Sequence, residues 1–470
     1  MLIYPIGDLY QRGEDRCQVN VDASISNSMR ACNDLGYIAS VLKNDYQIFL
    51  KDYMSEKKSF EDFKKDFDAF IPDVLFISTT NGSIYEDLEF INKVKQIKSD
   101  VVIILKGALF FNPQQDIFSV LNFSNVDYLI GGEVEFIIKD LLEAHYSDKN
   151  KLSQIQGICY KNNVNWIINK VETFNENLDL LPFPDRSLMN NKLYLNPLNN
   201  KKMATISTSR GCPSSCIFCL SPVISGKKVR FRSPLSVFAE MVECYEKYKI
   251  DNFFFKADTF TINKAWVLEL CNLIINSKLY KKIAFVANSR VNTIDEEMLV
   301  LMKKAGCELI ALGLESGSDE VLSQMKKGIS VQQNIDVVKL IKKVGIKIFG
   351  FYLIGFPFEK QEDLDKTKKM IFDLDTDFIE LSILIPFYGT ELYSMINPNE
   401  ILGKDSFKNA VSCSKEFSLE ELQSFRKNII LKYHLRLKYI LKKIFNKNIS
   451  LSLFKNYVLY GFRLLKNIFS

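Results

Sequence analysis

Apolar and polar residues along this chain alternate in a strand-then-helix rhythm that runs twice, with a break between the two passages. Over the first 145 residues, the short apolar runs "MLIYPI", "DYQIFL", "DVLFIST", "VVIILKG" and "VDYLIGG" are separated by stretches such as "NSMRACNDLGYIASVLKN" and "IYEDLEFINKVKQIK". Continuous apolar runs of this length predict buried strands, and apolar residues recurring every three or four positions predict amphipathic helices. Their regular alternation predicts a doubly wound parallel sheet, a Rossmann-like α/β domain over residues 1–145. Sheets of this kind take ligands at the carboxyl ends of their strands.

Residues 146–203 break the rhythm. Asn and Lys become frequent, Pro182 and Pro184 stand close together in "LPFPDRS", and a small hairpin is expected around "GICYKNNVNWIINK" within a connector. The alternation resumes over 204–395, with strands expected at "MATIST", "NFFFKAD", "IAFVANS", "LIALGLES", "IKIFGFYLIG" and "FIELSILIPF". Two of the intervening helical patterns end at Gly306 and Gly345, where C-caps belong. About six β/α units predict a partial (β/α)6 barrel with its site at the carboxyl ends of the strands. Residues 396–470 form a helical C-terminal region. Within it, "SLEELQSFRKNIILKYHLRLKYILKKIF" opens on a capping box, Ser418 with Glu421. Phe425, Ile429, Tyr433, Leu437, Ile440, Leu441 and Ile444 fall on one stripe of a single expected helix, and Arg426, Lys427, Lys432, Arg436, Lys442 and Lys443 cover much of the remainder.

Charge sharpens the contrast between body and tail. The net charge of the 470 residues is +5, yet Lys404 to Lys466 alone holds 14 Lys and Arg against four Asp and Glu, leaving the rest mildly acidic. The body therefore offers no electrostatic footprint for nucleic acid. The tail reads in two ways, as a helix packed on the barrel with a solvated basic face or as a peripheral contact with anionic lipid. "MLIYPIGDLY" lacks a basic segment followed by an apolar one, and no apolar run approaches the ~18 residues of a membrane span, so the expected location is cytoplasmic. Ten cysteines in a chain of this length are too sparse for a disulfide scaffold.

Three of those cysteines are crowded together. "TSRGCPSSCIFC", residues 208–219, holds Cys212, Cys216 and Cys219. Thiolates are soft ligands that take zinc or iron–sulfur clusters. A structural zinc would want a fourth Cys or His, whereas the two histidines, His145 and His434, lie far away in sequence and the nearest other thiol is Cys244. A three-thiolate site leaves one metal position open. Three cysteines on a loop shaped by Gly211 and Pro213 also make a poor match to ordinary buried core cysteine.

Cys212-x3-Cys216-x2-Cys219, with Phe218 before the last cysteine, resembles the signature of the radical SAM superfamily. The resemblance implies that the three thiolates bind three irons of a [4Fe–4S] cluster. S-adenosylmethionine would chelate the fourth and be cleaved by electron transfer to a 5′-deoxyadenosyl radical. Downstream segments extend the likeness in order over residues 200–395: "DTFTINKA" with Asp258, "ANSRVN" with Arg290, "LGLESGSDEVL" with Glu315 and Ser316, "GFYLIGFPFE" with Gly350 and Gly355, and "PFYGTELY". It implies that Asp258, Arg290, Glu315, Ser316 and Gly355 face S-adenosylmethionine. Taken singly, each has an ordinary reading as a strand-end charge, a surface ion pair or a turn glycine.

Residues 1–145 resemble the cobalamin-binding domain that precedes the barrel in one branch of that superfamily. The likeness implies that Ser78, Thr79, Thr80, Gly107, Gly131, Gly132 and Glu133 line the rim on which a flat corrin lies; a plain doubly wound domain is the alternative. Two departures stand out. There is no Asp-x-His-x-x-Gly to supply an axial histidine, and "LKGALF" stands where a Gly-Gly pair is more usual. Together the resemblances imply a C-methyltransferase acting on a small-molecule or lipid-like substrate, with electrons from an external donor such as flavodoxin or ferredoxin. Radical cyclisation or rearrangement, a corrinoid sensor with a vestigial barrel, and a methylthiotransferase are the rivals. The last needs a second cluster, for which the first domain offers only Cys17 and Cys32. Tyr352, Tyr388 and Cys307 are candidate hydrogen or electron donors.

Overall fold

The first half of the chain builds a sheet of order β2-β1-β3-β4-β5-β6-β7. Its parallel part comprises β1 (Leu2–Tyr4), α1 (Asn33–Leu42), β2 (Leu50–Asp52), α2 (Phe60–Phe70), β3 (Val74–Ser78), α3 (Ile84–Ile97), β4 (Val102–Lys106), α4 (Ile117–Val120), β5 (Tyr128–Ile130) and α5 (Val134–Tyr146). Alternate strand residues face opposite sides. Ile3, Leu75, Ile77, Ile103 and Leu105 pack under α2 and α3, while Leu2, Tyr4, Phe76, Ile104 and Ile130 pack under α1 and α5. This is the doubly wound arrangement expected. The strand expected at "DYQIFL" begins later, at Leu50. The hairpin expected in the connector, β6 (Ile158–Asn162) and β7 (Asn165–Ile168), runs antiparallel along β5 and widens this sheet. The sheet therefore extends past residue 145 instead of ending there. The computed structural model describes residues 1–10, 29–163, 165–396 and 413–444; Cys17 and parts of the C-terminal region lie outside these.

The second half forms an open, all-parallel sheet of order β15-β14-β13-β12-β11-β8. β8 (Met203–Ser207) leads into a short hairpin, β9 (Ser209–Arg210) and β10 (Arg230–Phe231), with α6 (Ser221–Ser225) between its arms. There follow α7 (Pro234–Tyr248), β11 (Asn252–Lys256), α8 (Lys264–Asn276), β12 (Ala284–Ser289), α9 (Glu296–Ala305), β13 (Cys307–Glu315), α10 (Asp319–Gln324), α11 (Val331–Val344), β14 (Lys347–Ile354), α12 (Gln361–Leu374), β15 (Phe378–Ile383) and α13 (Glu391–Met395). Six strands with helices between them make the expected partial barrel. Gly306 and Gly345 cap α9 and α11 in the left-handed conformation, as their positions required. Ile310, Leu312 and Leu314 of β13 are buried outward against the helices, so Ala311, Gly313 and Glu315 point into the barrel.

The free edge of β8 is covered. Asn33 Nδ2 and Arg186 Nη2 donate to the Thr205 carbonyl at 2.7 and 2.9 Å, and Arg232 Nη1 donates to the Ser207 carbonyl at 3.1 Å. Unpaired strand carbonyls thus find partners in α1 and the connector. Both arginines also share the carboxylate of Glu240 on α7, and all three side chains are buried. Across the last strand, α14 (Leu419–His434) packs through Leu422, Ile429 and Tyr433 into the barrel core. The single tail helix expected from the sequence is interrupted before α15 (Leu437–Ile444). At the break, Arg436 Nε donates to the Tyr433 carbonyl at 3.0 Å and the guanidinium lies over the Tyr433 ring at 4.0 Å. The expected stripe divides accordingly: Tyr433 is buried, but Leu437 is 72% exposed.

Candidate cofactor site

The cysteine loop leaves the carboxyl end of the first barrel strands. Gly211 opens it with φ +97, and a Cβ there would stand 2.0 Å from the Lys228 carbonyl, so only glycine fits. Cys212 and Cys216 are buried and Cys219 is half-exposed. Two donors approach the sulfurs: Arg290 Nη1 lies 3.5 Å from Cys216 Sγ, and the Ser221 backbone N–H lies 3.5 Å from Cys219 Sγ. Asp258 fastens both ends of the loop. Its carboxylate accepts from the Gly211 backbone N–H at 3.0 Å and from Ser221 Oγ at 2.5 Å. The role expected for Asp258 was cofactor contact; the contacts observed brace the loop. Ser221, which the sequence did not single out, is the other half of that brace.

Arg290 and Glu315 converge beside this loop. Both are linked to Lys327, Glu315 by an ion pair and Arg290 by donating to the Lys327 carbonyl. Lys327 was also absent from the sequence reading. The Oγ of Ser316 lies 3.1 Å from Thr367 Oγ1 and accepts from the Ser318 N–H. It fixes the turn after β13 against α12. Gly355 adopts φ +95, and its N–H donates to Glu359 Oε2 at 2.6 Å. Gly350 makes room for the Tyr352 ring.

Glu359 is a buried carboxyl whose Oε1 has no partner among the described residues. Burial pushes its pKa from the ordinary 4.5 to about 7, outweighing the opposing N–H donors of Gly355 and Phe356. The folded turn thus binds a proton that the unfolded chain has already released between those values. Stability from this group is complete below pH 4.5 and is lost as the pH rises through about 7. Glu359→Gln should flatten that slope, measured as urea midpoints at steps between about pH 5 and 8.

The rim of the first sheet meets the cysteine loop directly. Ala108 and Phe111, just beyond β4, pack with Leu220 and Ile224 of the segment after Cys219. Glu133, beyond β5, accepts from Arg210 Nη1 at 3.0 Å and from Arg230 Nη1 at 2.8 Å, and Glu135 also pairs with Arg210. Glu133, expected at the corrin, also clamps the rim to the hairpin that carries the cysteines. A Cβ on Gly131 would collide with the Phe110 carbonyl, whereas one on Gly132 would make only ordinary contacts with Ile137 and Gly157. The small size of Gly131 serves backbone packing. Ser78, Thr79 and Gly107 stay on the rim. The hydroxyls of Ser78 and Thr79 donate to Asp34 and Asp87, while Thr80 caps the turn after β3 by accepting from the Gly82 N–H. Ser78, Thr79, Thr80 and Gly107 are all buried.

Residues 206–371 match the radical SAM superfamily. An uncharacterized methyltransferase of Pyrococcus horikoshii is 30% identical over 417 residues, covering 87% of this chain and 89% of that one. The chain belongs to the radical SAM superfamily. Its fold also resembles that of the cobalamin-dependent S-adenosylmethionine radical enzyme OxsB, solved with aqua-cobalamin and S-adenosylmethionine bound, with a TM-score of 0.72 at 16% identity over 100% of this chain and 71% of that one. The radical S-adenosylmethionine methyltransferase TsrM from Kitasatospora setae, solved with cobalamin and a [4Fe–4S] cluster, gives a TM-score of 0.65 at 16% identity over 84% of this chain and 74% of that one.

Radical SAM enzymes work with a [4Fe–4S] cluster and S-adenosylmethionine, and the loop's chemistry fits the cluster. Among the described residues no three His, Cys, Asp or Glu side chains are grouped to hold one metal ion. Cluster ligands sit on different irons and stand farther apart. N–H donors aimed at the sulfurs are the outer-shell contacts such clusters use to tune their potential. By contrast, burial among apolar side chains pushes the thiols of Cys244 and Cys271 up to about 12, leaving them protonated and poor ligands.

Of the candidate donors, Cys307 and Tyr352 are buried on the helix-facing side of the barrel wall. Tyr388 bridges the two halves, donating to Asp116 and accepting from the Gln114 N–H. None of the three faces the barrel interior.

Proposed function

We propose that this radical SAM protein is a cobalamin-dependent C-methyltransferase acting on a small, largely apolar molecule. The observation that carries the reading is the abutment of two rims. The carboxyl ends of the first sheet and the cysteine loop touch through Ala108, Phe111, Leu220 and Ile224, and Glu133 locks them together. A ligand on either rim faces the other. The solved structures of similar fold carry cobalamin and a cluster, and the Pyrococcus relative is called a methyltransferase, which supports the same reading.

The residues of the first rim suit a corrin. Ser78, Thr79, Thr80 and Gly107 keep it low, and among the described residues the buried Lys106 ammonium has one partner, Asp34 at 3.4 Å, leaving donors for the polar edge of a macrocycle. His145 is bonded through Nδ1 to the Tyr128 hydroxyl at the opposite end of β5, and His434 lies in α14 bonded to the Ile430 carbonyl. Neither imidazole reaches that rim. Cys212, Cys216 and Cys219 would hold the cluster, with Arg290 and Glu315 beside it for S-adenosylmethionine. Bound, the cluster and S-adenosylmethionine supply one-electron cleavage to a carbon radical, and cobalamin supplies a methyl group. The chain orients these groups and excludes water.

Phe254, Val286, Ala311, Phe349 and Phe351 line the barrel interior, with the rings of Phe349 and Phe351 4.6 Å apart. Such a lining suits an apolar or lipid-like substrate. A flavodoxin- or ferredoxin-like protein would supply electrons. The tail supports a peripheral lipid contact through Leu435, Leu437 and Leu441, which are exposed. Several of its cations are occupied elsewhere, Arg436 and Lys438 on Asp375 and Arg426 on Glu380. No helix among the described residues is long and apolar enough to cross a membrane. Product analysis tests the proposal: S-adenosylhomocysteine together with 5′-deoxyadenosine indicates methyl transfer, deoxyadenosine alone indicates cyclisation or rearrangement, and neither indicates a sensor.

A further inference from the structure

The turn after α10 carries a lysine that neither the signature nor the family resemblance assigns. Lys327 is buried, its side chain 7% exposed, and its ammonium is paired with Glu315. Its backbone carbonyl accepts from Arg290 Nη2, and the other arm of that guanidinium reaches Cys216 Sγ. Two residues earlier, the Met325 carbonyl accepts from the Ile217 N–H at 3.2 Å, inside the cysteine loop. One turn therefore touches the loop, the arginine and the glutamate.

Backbone conformation points the same way. Lys326 and Gly328, on either side of Lys327, have φ of 54° and 69°, and Glu315 has φ of 60°. At Lys326 this is the usual ending of α10, with the Lys327 N–H returning to the Leu322 carbonyl; at Glu315, at the end of β13, it is disfavoured and persists where surroundings over-determine it. Strand β13 also leaves space for the pair. A Cβ on Gly313 would stand 2.4 Å from Glu315 Oε1 and 2.7 Å from Lys327 Nζ.

We propose that Lys327 is the positioning residue of the S-adenosylmethionine site, fixing the Glu315 carboxylate toward the barrel mouth and coupling it, through Arg290, to the loop of Cys216. The proposal rests on the reading above that Glu315 and Arg290 face S-adenosylmethionine. Through the ion pair, Lys327 holds the carboxylate in the direction of a cofactor that carries both ammonium and sulfonium.

The test uses full-length protein reconstituted anaerobically with iron and sulfide, as wild type, Lys327→Met, Lys327→Arg and Gly313→Ala. Iron content, equilibrium dialysis with S-adenosylmethionine, and the paramagnetic resonance of the reduced cluster with and without it are measured. The expected Lys327→Met protein keeps its iron but binds S-adenosylmethionine at least about tenfold more weakly, with a diminished spectral change on adding it. Lys327→Arg should recover most of that binding, since it restores the charge. Gly313→Ala, which crowds only the flexible ends of the two side chains, should weaken binding less than Lys327→Met does. Wild-type affinity and spectral change in Lys327→Met would overturn the proposal, as would an iron loss that Lys327→Arg fails to reverse. A wild-type spectrum indifferent to S-adenosylmethionine would overturn the site reading itself and the proposal with it.

Discussion

Cys216→Ala protein, reconstituted anaerobically, is expected to hold no intact cluster and to form no 5′-deoxyadenosine. The reasons are local. Cys216 is the cysteine that Arg290 approaches, and its loop is pinned by Asp258 and by the Ile217 bond to Met325. Losing one of three thiolates leaves a second iron without a protein ligand. Iron should fall from about four per chain towards zero, and the cluster's absorbance should vanish with it. Cys212→Ala and Cys219→Ala should behave alike. Cys244→Ala and Cys271→Ala should keep the cluster, because those thiols are buried in the helical layer of the barrel. Iron analysis and absorbance decide between these outcomes.

The largest expected loss of stability lies away from the cluster, at Glu240. Its carboxylate is fully buried between Arg186, at 2.5 Å, and Arg232, and burial of the two guanidiniums depends on it. The attraction of both arginines holds the Glu240 pKa below its ordinary value despite the burial that opposes it. Glu240→Gln would leave two buried cations without a counter-charge, at a cost of about 3–5 kcal/mol. The damage would reach further than one contact, since both arginines also cover the carbonyls of the β8 edge. Trp266 reports on this region, its Nε1 donating to the Arg232 carbonyl at 2.7 Å. Urea unfolding followed by tryptophan fluorescence should show a markedly lower midpoint; an unchanged midpoint would mean that solvent reaches the arginines.

Much of this was legible in the chain before any coordinates. Strand and helix rhythms are local, so the doubly wound sheet and six-stranded barrel could be read from apolar spacing. Three cysteines within eight positions are equally local. What could not be read were pairings between distant positions. Nothing in the sequence near Glu240 announces Arg186, 54 residues away, and nothing near Glu133 announces Arg210 and Arg230. The same limit applies to the rim glycines. A glycine needed because the backbone of the turn after β4 passes 1.8 Å from its would-be Cβ, as at Gly131, looks in sequence like one needed by a ligand. Lys327 was invisible for a different reason: an isolated lysine in "KKG" carries no pattern, and only the left-handed turn directs it inward. The tail misled through its even stripe, which runs on across the break where the Arg436 side chain takes the Tyr433 carbonyl.

The central claim is that one chain joins cluster chemistry to a corrin across the two abutting rims. Its most direct measurement is product stoichiometry in protein reconstituted with iron and sulfide, given S-adenosylmethionine, a strong reductant and a cell extract as substrate source, with methylcobalamin present or withheld. The account predicts 5′-deoxyadenosine and S-adenosylhomocysteine formed together, in comparable amounts, with the S-adenosylhomocysteine lost when cobalamin is withheld. Protein that retains no cobalamin and yields the same products with or without it would contradict the account.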